Sequence, residues 1–453
     1  MIDEITLLDL CEYIVKTGKE RGAEHIEVQA TSESEVESDV EMGQISQVSK
    51  KSLSEIAIRL YIGKKMGCAF TNIPARDAAD EALDLAISAA KATSEDKDWS
   101  GFPSPTDDYP VIEGLWQDSV VNSDSGEVVE LAGRALSLIS EAEPGIIPGY
   151  GGSAAIGFSA AYANSNGVAH SDKGTFALVV LGGIAPTEAG MTPMVFSYDI
   201  TRDMNVDVEG TVDDVASTVR ICKNFVTGTT GKHTVIMHPF AYGQIMQYTL
   251  IQSIRGDNVA RGKSKIGDKL GEKIASEKVT IVDDGLHPRG VSSSSADDEG
   301  VPRRRTAIIE KGVLRSFLWD TYWANKMGVK STGNAKRDMR QGLVEIAPSI
   351  IVVDPGERDM EAIIKGIKHG YYIRGVQGAH SSNPESGDFS IVGNPAILIE
   401  NGKMVGSVHG LMVAGNVYDL LNQVDEVAKK PHHLQSIIGP DIVFSEVSII
   451  TKE

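Results

Sequence analysis

The sequence predicts an α+β protein, with N-terminal domains of strands and packed helices followed by a strand-rich C-terminal domain. Three observations carry that prediction. Ser54–Gly63 alternates strictly, placing Ile56, Ile58, Leu60 and Ile62 on one face of a strand. Helical stripes flank it, with Ile5, Leu8, Leu10 and Ile14 before and Ala78, Ala82, Leu85, Ala86 and Ala89 after. From residue 228 onward strands dominate. Two of them carry one hairpin signature, strand–Glu–x–Gly–strand, at Glu310–Gly312 and Glu400–Gly402, echoed at Glu41–Gly43.

The chain has 453 residues, more than the roughly 100–200 of one typical domain. Three units are predicted. The first, 1–100, opens with an amphipathic helix. "AEHIEVQA" then reads as a strand, Met42–Gly43 as a turn, and "GKKMGCAFTN" as a short strand pair. Pro74 opens the second helix, where its missing N–H costs nothing. "TSEDKDWSGFPSPTDDYP", with three prolines and many acids, is a linker or long loop. The second unit, 111–222, is predicted to hold a helix over 125–142, a turn at the Gly-rich "GYGGSAAIG", a tight turn at Asn166–Gly167, a buried strand "TFALVVLGGIAP" and a helix "TVDDVASTVRICKNF". The third, 228–453, reads as strands: "HTVIMH", "KVTIVDD", "RTAIIEKGVLRSFLWD", "PSIIVVDPG" and "PAILIENGKMVGSVHGLMVAGN".

Composition removes several classes of function. With 43 basic and 63 acidic residues the net charge is −20, a surface that repels nucleic acid. The one tight basic cluster, Arg303–Arg305, reads as a solvated loop or strand start. No apolar run approaches the roughly 18 residues of a membrane helix. Acids stand at the N-terminus where a signal peptide has bases, so a cytoplasmic location is expected. Cys11, Cys68 and Cys222 are scattered singly, which supports neither a disulfide framework nor a zinc ribbon. "GTTGKHT" lacks P-loop spacing, and no G-x-S-x-G elbow exists. Among ten histidines there is no H-E-x-x-H. His233 and His238, five apart on a strand, point to opposite faces, and the neighbours His432 and His433 diverge, so no intrinsic metal site is expected.

Motifs of the third unit occur in a defined order: "IGDKLGEKIAS", "DDEGVPRRRTAIIEKGVLRSFLWDTYWANKMG", "STGNAKR" and "NPESGDFSIVGNPAILIENGKMVGSVHGLMVAGN". In that order and spacing they resemble the TldD/PmbA family, once called modulators of DNA gyrase. "AEHIEVQA…GQISQVSKK…GCAFTN" resembles its first domain less sharply. The resemblance implies a cytoplasmic peptidase assembly whose members pair around a cavity and degrade or trim unfolded peptides. It further implies that a TldD-type subunit carries H-E-x-x-x-H and a cysteine near the C-terminus as zinc ligands, with the glutamate as general base. A PmbA-type (TldE) subunit lacks them.

In "QIMQYTLIQSI" the motif's place is taken by Gln247, Tyr248 and Gln252. A glutamine amide is a poor zinc ligand, tyrosine is a poor base at neutral pH, and no cysteine follows Cys222. The expectation is a PmbA-type subunit with no catalytic residue and no metal of its own. Zinc is expected in a TldD-type partner, with a homodimer as the other possible pairing, and the substrates are peptides. Asn334, Arg337, Asn383 and Asp388, in "STGNAKR" and "NPESGDFS", stand either in structural turns or as polar peptide contacts. Strand addition of a peptide near "GNPAILIENGKMVGSVHG" is one route to sequence-independent binding. Two alternatives stay open: a self-sufficient peptidase using Ser292–Ser295 or Cys222, neither with a visible base, and a protein-binding modulator.

Overall fold

The computed structural model describes residues 1–451. Its N-terminal half is one six-stranded antiparallel sheet built from β1 (His25–Glu41), β2 (Gln44–Ile62), β3 (Lys65–Thr71), β4 (Ile147–Asn164), β5 (Ala169–Ile184) and β6 (Val195–Thr201), in the order β3-β2-β1-β4-β5-β6. β1 and β4 pair from Glu27–Asn164 to Glu41–Tyr150. The sheet therefore runs across the predicted boundary between 1–100 and 111–222.

Alternation decides which face is covered. Ile26, Val28 and Ala30 of β1 are buried with Leu7, Cys11 and Ile14 of α1 (Glu4–Glu20) and Ala82, Leu83 and Ala86 of α2 (Arg76–Ala92). Farther along, Val179 and Leu181 of β5 pack with Ile139 of α3 (Ser125–Ala142) and Val212 and Val215 of α4 (Val208–Cys222). The intervening residues of β1, Glu27 and Gln29, project from the opposite face toward the C-terminal half.

"GYGGSAAIG" is not a turn but the first part of β4. Its glycines admit neighbouring backbone: a Cβ on Gly151 would lie 2.5 Å from the Val180 oxygen, and one on Gly152 2.2 Å from the Ser38 oxygen. Glycine marks close approach here, not chain reversal.

The C-terminal half is a thirteen-stranded mixed sheet, of which seven strands position the site. These are β7 (Gly231–Met237), β8 (Ile351–Val353), β9 (His369–Ile373), β10 (Ala396–Glu400), β11 (Lys403–Ser407), β12 (Val424–His433) and β13 (Ile437–Ile450). β13 is the spine. It pairs antiparallel with β12 and β7 and parallel with β8. β7 pairs parallel with β9, and β10 and β11 follow antiparallel. The three Glu–x–Gly turns share one backbone: Met42, Lys311 and Asn401 have φ of 47°, 47° and 48°, and the glycines after them 81°, 79° and 76°. Two successive left-handed residues are what a two-residue hairpin turn requires.

The halves meet through buried charge. Glu27 Oε1 accepts from Arg59 Nε and from Arg337 Nη2, each at 2.6 Å, and Glu27 Oε2 accepts from the Tyr162 hydroxyl at 2.7 Å. Arg59 also reaches Glu299 at 2.9 Å. Arg303, predicted to be solvated, is buried and donates to Ser294 Oγ at 2.8 Å and to the Ala296 carbonyl at 3.1 Å, and Arg305 begins a strand. Among the described residues no helix is long and apolar enough to cross a membrane.

Candidate functional site

β7 ends at Met237 and leads through His238 into α5 (Pro239–Tyr248). Pro239 stands in the first turn, where no N–H is needed, and His238 caps the helix by accepting the Phe240 N–H on Nδ1 at 3.1 Å. The helix breaks at Thr249, with φ −131° and ψ −84°, before α6 (Leu250–Ile254). The break brings two residues five apart together: Gln252 Nε2 donates to the Gln247 carbonyl at 3.1 Å. Gln247 and Tyr248 are exposed and Gln252 is half-buried.

These residues do not fit the zinc ion that the resemblance implies for this motif. The Gln252 amide nitrogen has no lone pair to give and is committed to backbone. Tyr248 is a phenol where a carboxylate base would stand. Cys222 is buried elsewhere, in the cluster with Ile236 and Tyr372, and burial pushes its thiol up to about 12.

Three cavities meet around α5 and the tip of the β12–β13 hairpin. One of about 230 Å³ is lined by Gln247, Gly243, Phe240 and the tip residues Leu434–Ser436. It shares Tyr198, Phe240 and Leu434 with a chamber of about 610 Å³. It shares Gln435 with a cleft of about 630 Å³ between the two halves. The cavities adjoin in a groove of mixed polar and apolar lining, crossed by the hairpin tip, where the Gln435 N–H donates to the Tyr198 hydroxyl at 2.8 Å.

The chamber contains a constellation the sequence reading missed. His238, His432 and Asp441 bring ligand atoms within 4.8 Å of one another. Asp441 Oδ2 lies 2.9 Å from His432 Nε2. The β13–β7 register, Ile442 opposite Met237, and the β12–β13 hairpin assemble it. His432 and His433 do diverge, the latter toward His287. The chemistry of His238 does not suit a metal. Its Nδ1 accepts the Phe240 N–H, so the proton of the neutral ring sits on Nε2, whereas a ligating histidine donates from its distal nitrogen. Burial, His432 and Arg374 all hold His238 well below the usual histidine range, which keeps it neutral. His238 is thus a buried donor, and His432 is held by a buried carboxylate.

The four predicted peptide contacts fall in two places. Asn334 and Arg337 are internal tethers, and this corrects their reading as contacts. Asn334, 1% exposed, donates to Asp283 Oδ2 at 2.5 Å and to the Ala347 carbonyl at 3.2 Å. The Arg337 side chain is fully buried on Glu27, Gln29 and the Gly342 carbonyl. Asn383 and Asp388 build the turn beside α6: Asn383 Oδ1 accepts the N–H groups of Glu385 and Ser386, and Asp388 accepts from Ser386 Oγ at 2.7 Å and Asn416 Nδ2 at 2.8 Å.

Two further expectations change. The edge of β11 is occupied by the protein's own chain. Val226 N–H donates to the Ser407 carbonyl, Ser407 N–H donates to the Asn224 carbonyl, and a Cβ on Gly406 would lie 2.3 Å from that same oxygen. No peptide strand can add there. Ser295 of the serine run does have a histidine, 2.8 Å from Oγ to His170 Nε2. However, Asp172 Oδ2 takes the same His170 nitrogen at 3.1 Å and the serine hydroxyl at 2.8 Å. The carboxylate keeps the proton on Nε2, so His170 cannot accept one from Ser295.

Residues 230–451 match the family model described as the PmbA/TldA metallopeptidase C-terminal domain, and residues 26–90 match PmbA/TldA metallopeptidase domain 1. The chain superposes on the crystal structure of TldE from Thermococcus kodakarensis with a TM-score of 0.92 and 33% identity, covering 97% of this chain and 99% of that one. An uncharacterized protein of Methanocaldococcus jannaschii is 28% identical over 444 residues, 96% of this chain and 98% of that protein. A metalloprotease of the same organism is 31% identical over 200 residues, 44% of each chain.

Proposed function

The chain belongs to the PmbA/TldD family, and from that premise we propose that it is the non-catalytic, zinc-lacking subunit of a TldD/TldE-type metallopeptidase. It pairs with a subunit bearing H-E-x-x-x-H, and its groove lines the path of unfolded peptides. The assembly works in the cytoplasm. The observation that carries this reading is the state of the motif helix. Gln247, Tyr248 and Gln252 offer neither a ligand set nor a base, yet Gln247 lines a groove that continues into both larger cavities.

In this role the subunit's own residues bind and orient. An extended chain held there through its main chain is bound without its sequence being selected. The cleft between the halves is lined by Gln29, Thr31 and Glu33 from β1 and by Ser292–Ser294 from the other side. Zinc, when bound in the partner, supplies the activated water. A self-sufficient serine peptidase is disfavoured by the proton held between His170 and Asp172.

The test is zinc content and peptide hydrolysis by the purified chain, alone and mixed with an H-E-x-x-x-H paralogue. No zinc and no cleavage alone, with cleavage in the mixture that exceeds the paralogue's own, is the expected result. Stoichiometric zinc with chelator-sensitive cleavage by this chain alone would overturn it.

A further inference from the structure

Buried polar atoms without a partner are rare in folded proteins, and each needs a reason. Among the described residues ten such side-chain atoms occur, and six are serine or threonine hydroxyls, which rotate freely to suit a partner. The other four are Arg202 Nε, Arg374 Nε, His433 Nδ1 and Asp441 Oδ1. All four lie at the chamber at the end of the groove or directly behind its wall. Arg202 and His433 line it, Asp441 holds the lining His432, and Arg374 holds the lining Asp214.

The charges around the chamber are not evenly committed. Each of the four aspartates lining it has an internal partner. Asp199 takes the Asp207 N–H at 2.8 Å and faces Arg289 at 3.6 Å. Asp203 takes the Asn205 N–H, Asp207 caps α4 through the Gly210 N–H, and Asp214 takes both Arg374 and Ser197. The cations differ. Arg202 donates only to the carbonyls of Thr175 and Gly290, and burial without a counter-charge pushes it down to about 10. Lys430, exposed at the chamber, forms no ion pair among the described residues. His238 adds a buried N–H on Nε2, because its Nδ1 is spent on the Phe240 N–H. It sits at the N-terminus of α5, whose dipole also favours negative charge.

We infer that the chamber is a carboxylate site, and that the carboxylate is the C-terminus of a peptide lying in the groove, held by the His238 Nε2–H with Lys430 and Arg202. The inference rests on the groove being a peptide path. Continuity supports the occupant: the chamber is reached through Tyr198, Phe240 and Leu434 from the cavity beside Gln247. A chain that enters there ends beside Arg202 and Lys430, neither of which has a carboxylate partner among the described residues.

The experiment compares one fluorescent, unstructured peptide with a free C-terminal carboxylate against its C-terminal amide, binding to the full chain by anisotropy. The acid is expected to bind at least tenfold more tightly. Lys430→Gln, on the surface, and His238→Asn, which keeps a capping oxygen for Phe240, should each weaken the acid several-fold and leave the amide unchanged. Equal binding of acid and amide would overturn the carboxylate site and leave the peptide groove standing. Binding of neither would overturn both. Loss of acid and amide together in His238→Asn, with Lys430→Gln weakening the acid alone, would remove His238 from the site and keep the lysine.

Discussion

Two buried polar regions of this molecule look alike in composition and differ in completeness. At the junction of the halves, Glu27 is enclosed by Arg59, Arg337 and Tyr162, and both its oxygens are used. In the chamber, Asp441 is equally buried, but one oxygen is orphaned and its partner His432 is half-open. The junction is a closed account of charge, and the chamber is an open one. Buried charge that is fully satisfied specifies how elements fit together. Buried polar atoms left unsatisfied beside a cavity are what a binding site presents before its ligand arrives, and the donors among them here are Arg202 Nε and Arg374 Nε.

The sharpest way to break this contrast is Arg337→Ala. It leaves Glu27 buried with Arg59 as its remaining cation and should cost about 3 kcal/mol, the low end of the range for breaking a buried pair. Urea denaturation measures it. A loss below about 1 kcal/mol would mean that the junction behaves like a surface pair and that the contrast is false.

Acid probes the same region more gently. Burial alone would raise the Glu27 carboxyl, but Arg337 and Arg59 outweigh it, and the net shift is downward from an ordinary value of 4.5. The folded state therefore favours the ionised form. The stability this supplies is fully present above pH 4.5 and is lost as pH falls below that value through the depressed one. Urea midpoints should fall steeply under acid in the parent chain and less steeply in Glu27→Gln. Parallel slopes would detach the acid response from this residue.

On the chamber side, Asp441→Asn should cost the fold only about 1 kcal/mol. The amide oxygen can still accept from His432, and the lost charge was already under-used. A loss matching that of Arg337→Ala in the same denaturation assay would make the chamber a second structural junction.

How much of this contrast could be read in the sequence depends on range. The Glu–x–Gly turns were legible, because two left-handed residues leave a local mark, and Met42, Lys311 and Asn401 share one geometry. The helix over 125–142 was legible as an element, and it forms with those bounds. "GYGGSAAIG" misled, because glycine signals both chain reversal and close approach, and only the neighbouring strands decide which. Asn334 and Arg337 were legible as polar and important, but not as buried. Their partners Asp283 and Glu27 lie 51 and 310 residues away. The meeting of His238 with His432 was invisible for the same reason: it depends on the register of a strand pair, and only the divergence of His432 from His433 was local enough to foresee.

The smallest expected effect concerns the motif helix itself. Gln247→Ala, Tyr248→Ala and Gln252→Ala, singly, should change stability by no more than about 0.5 kcal/mol, because Gln247 and Tyr248 are exposed and Gln252 gives up one hydrogen bond to backbone. In a mixture with an H-E-x-x-x-H paralogue, peptide turnover should also stay within about twofold, a change well below 1 kcal/mol in barrier. This near-silence is informative because these are the positions at which the resemblance implies H-E-x-x-x-H in a zinc-bearing subunit. If Tyr248→Ala instead removed turnover while binding and stability held, the tyrosine would be touching the reacting group. The comparison would then run the other way, with the motif helix as the open account and the chamber as its support.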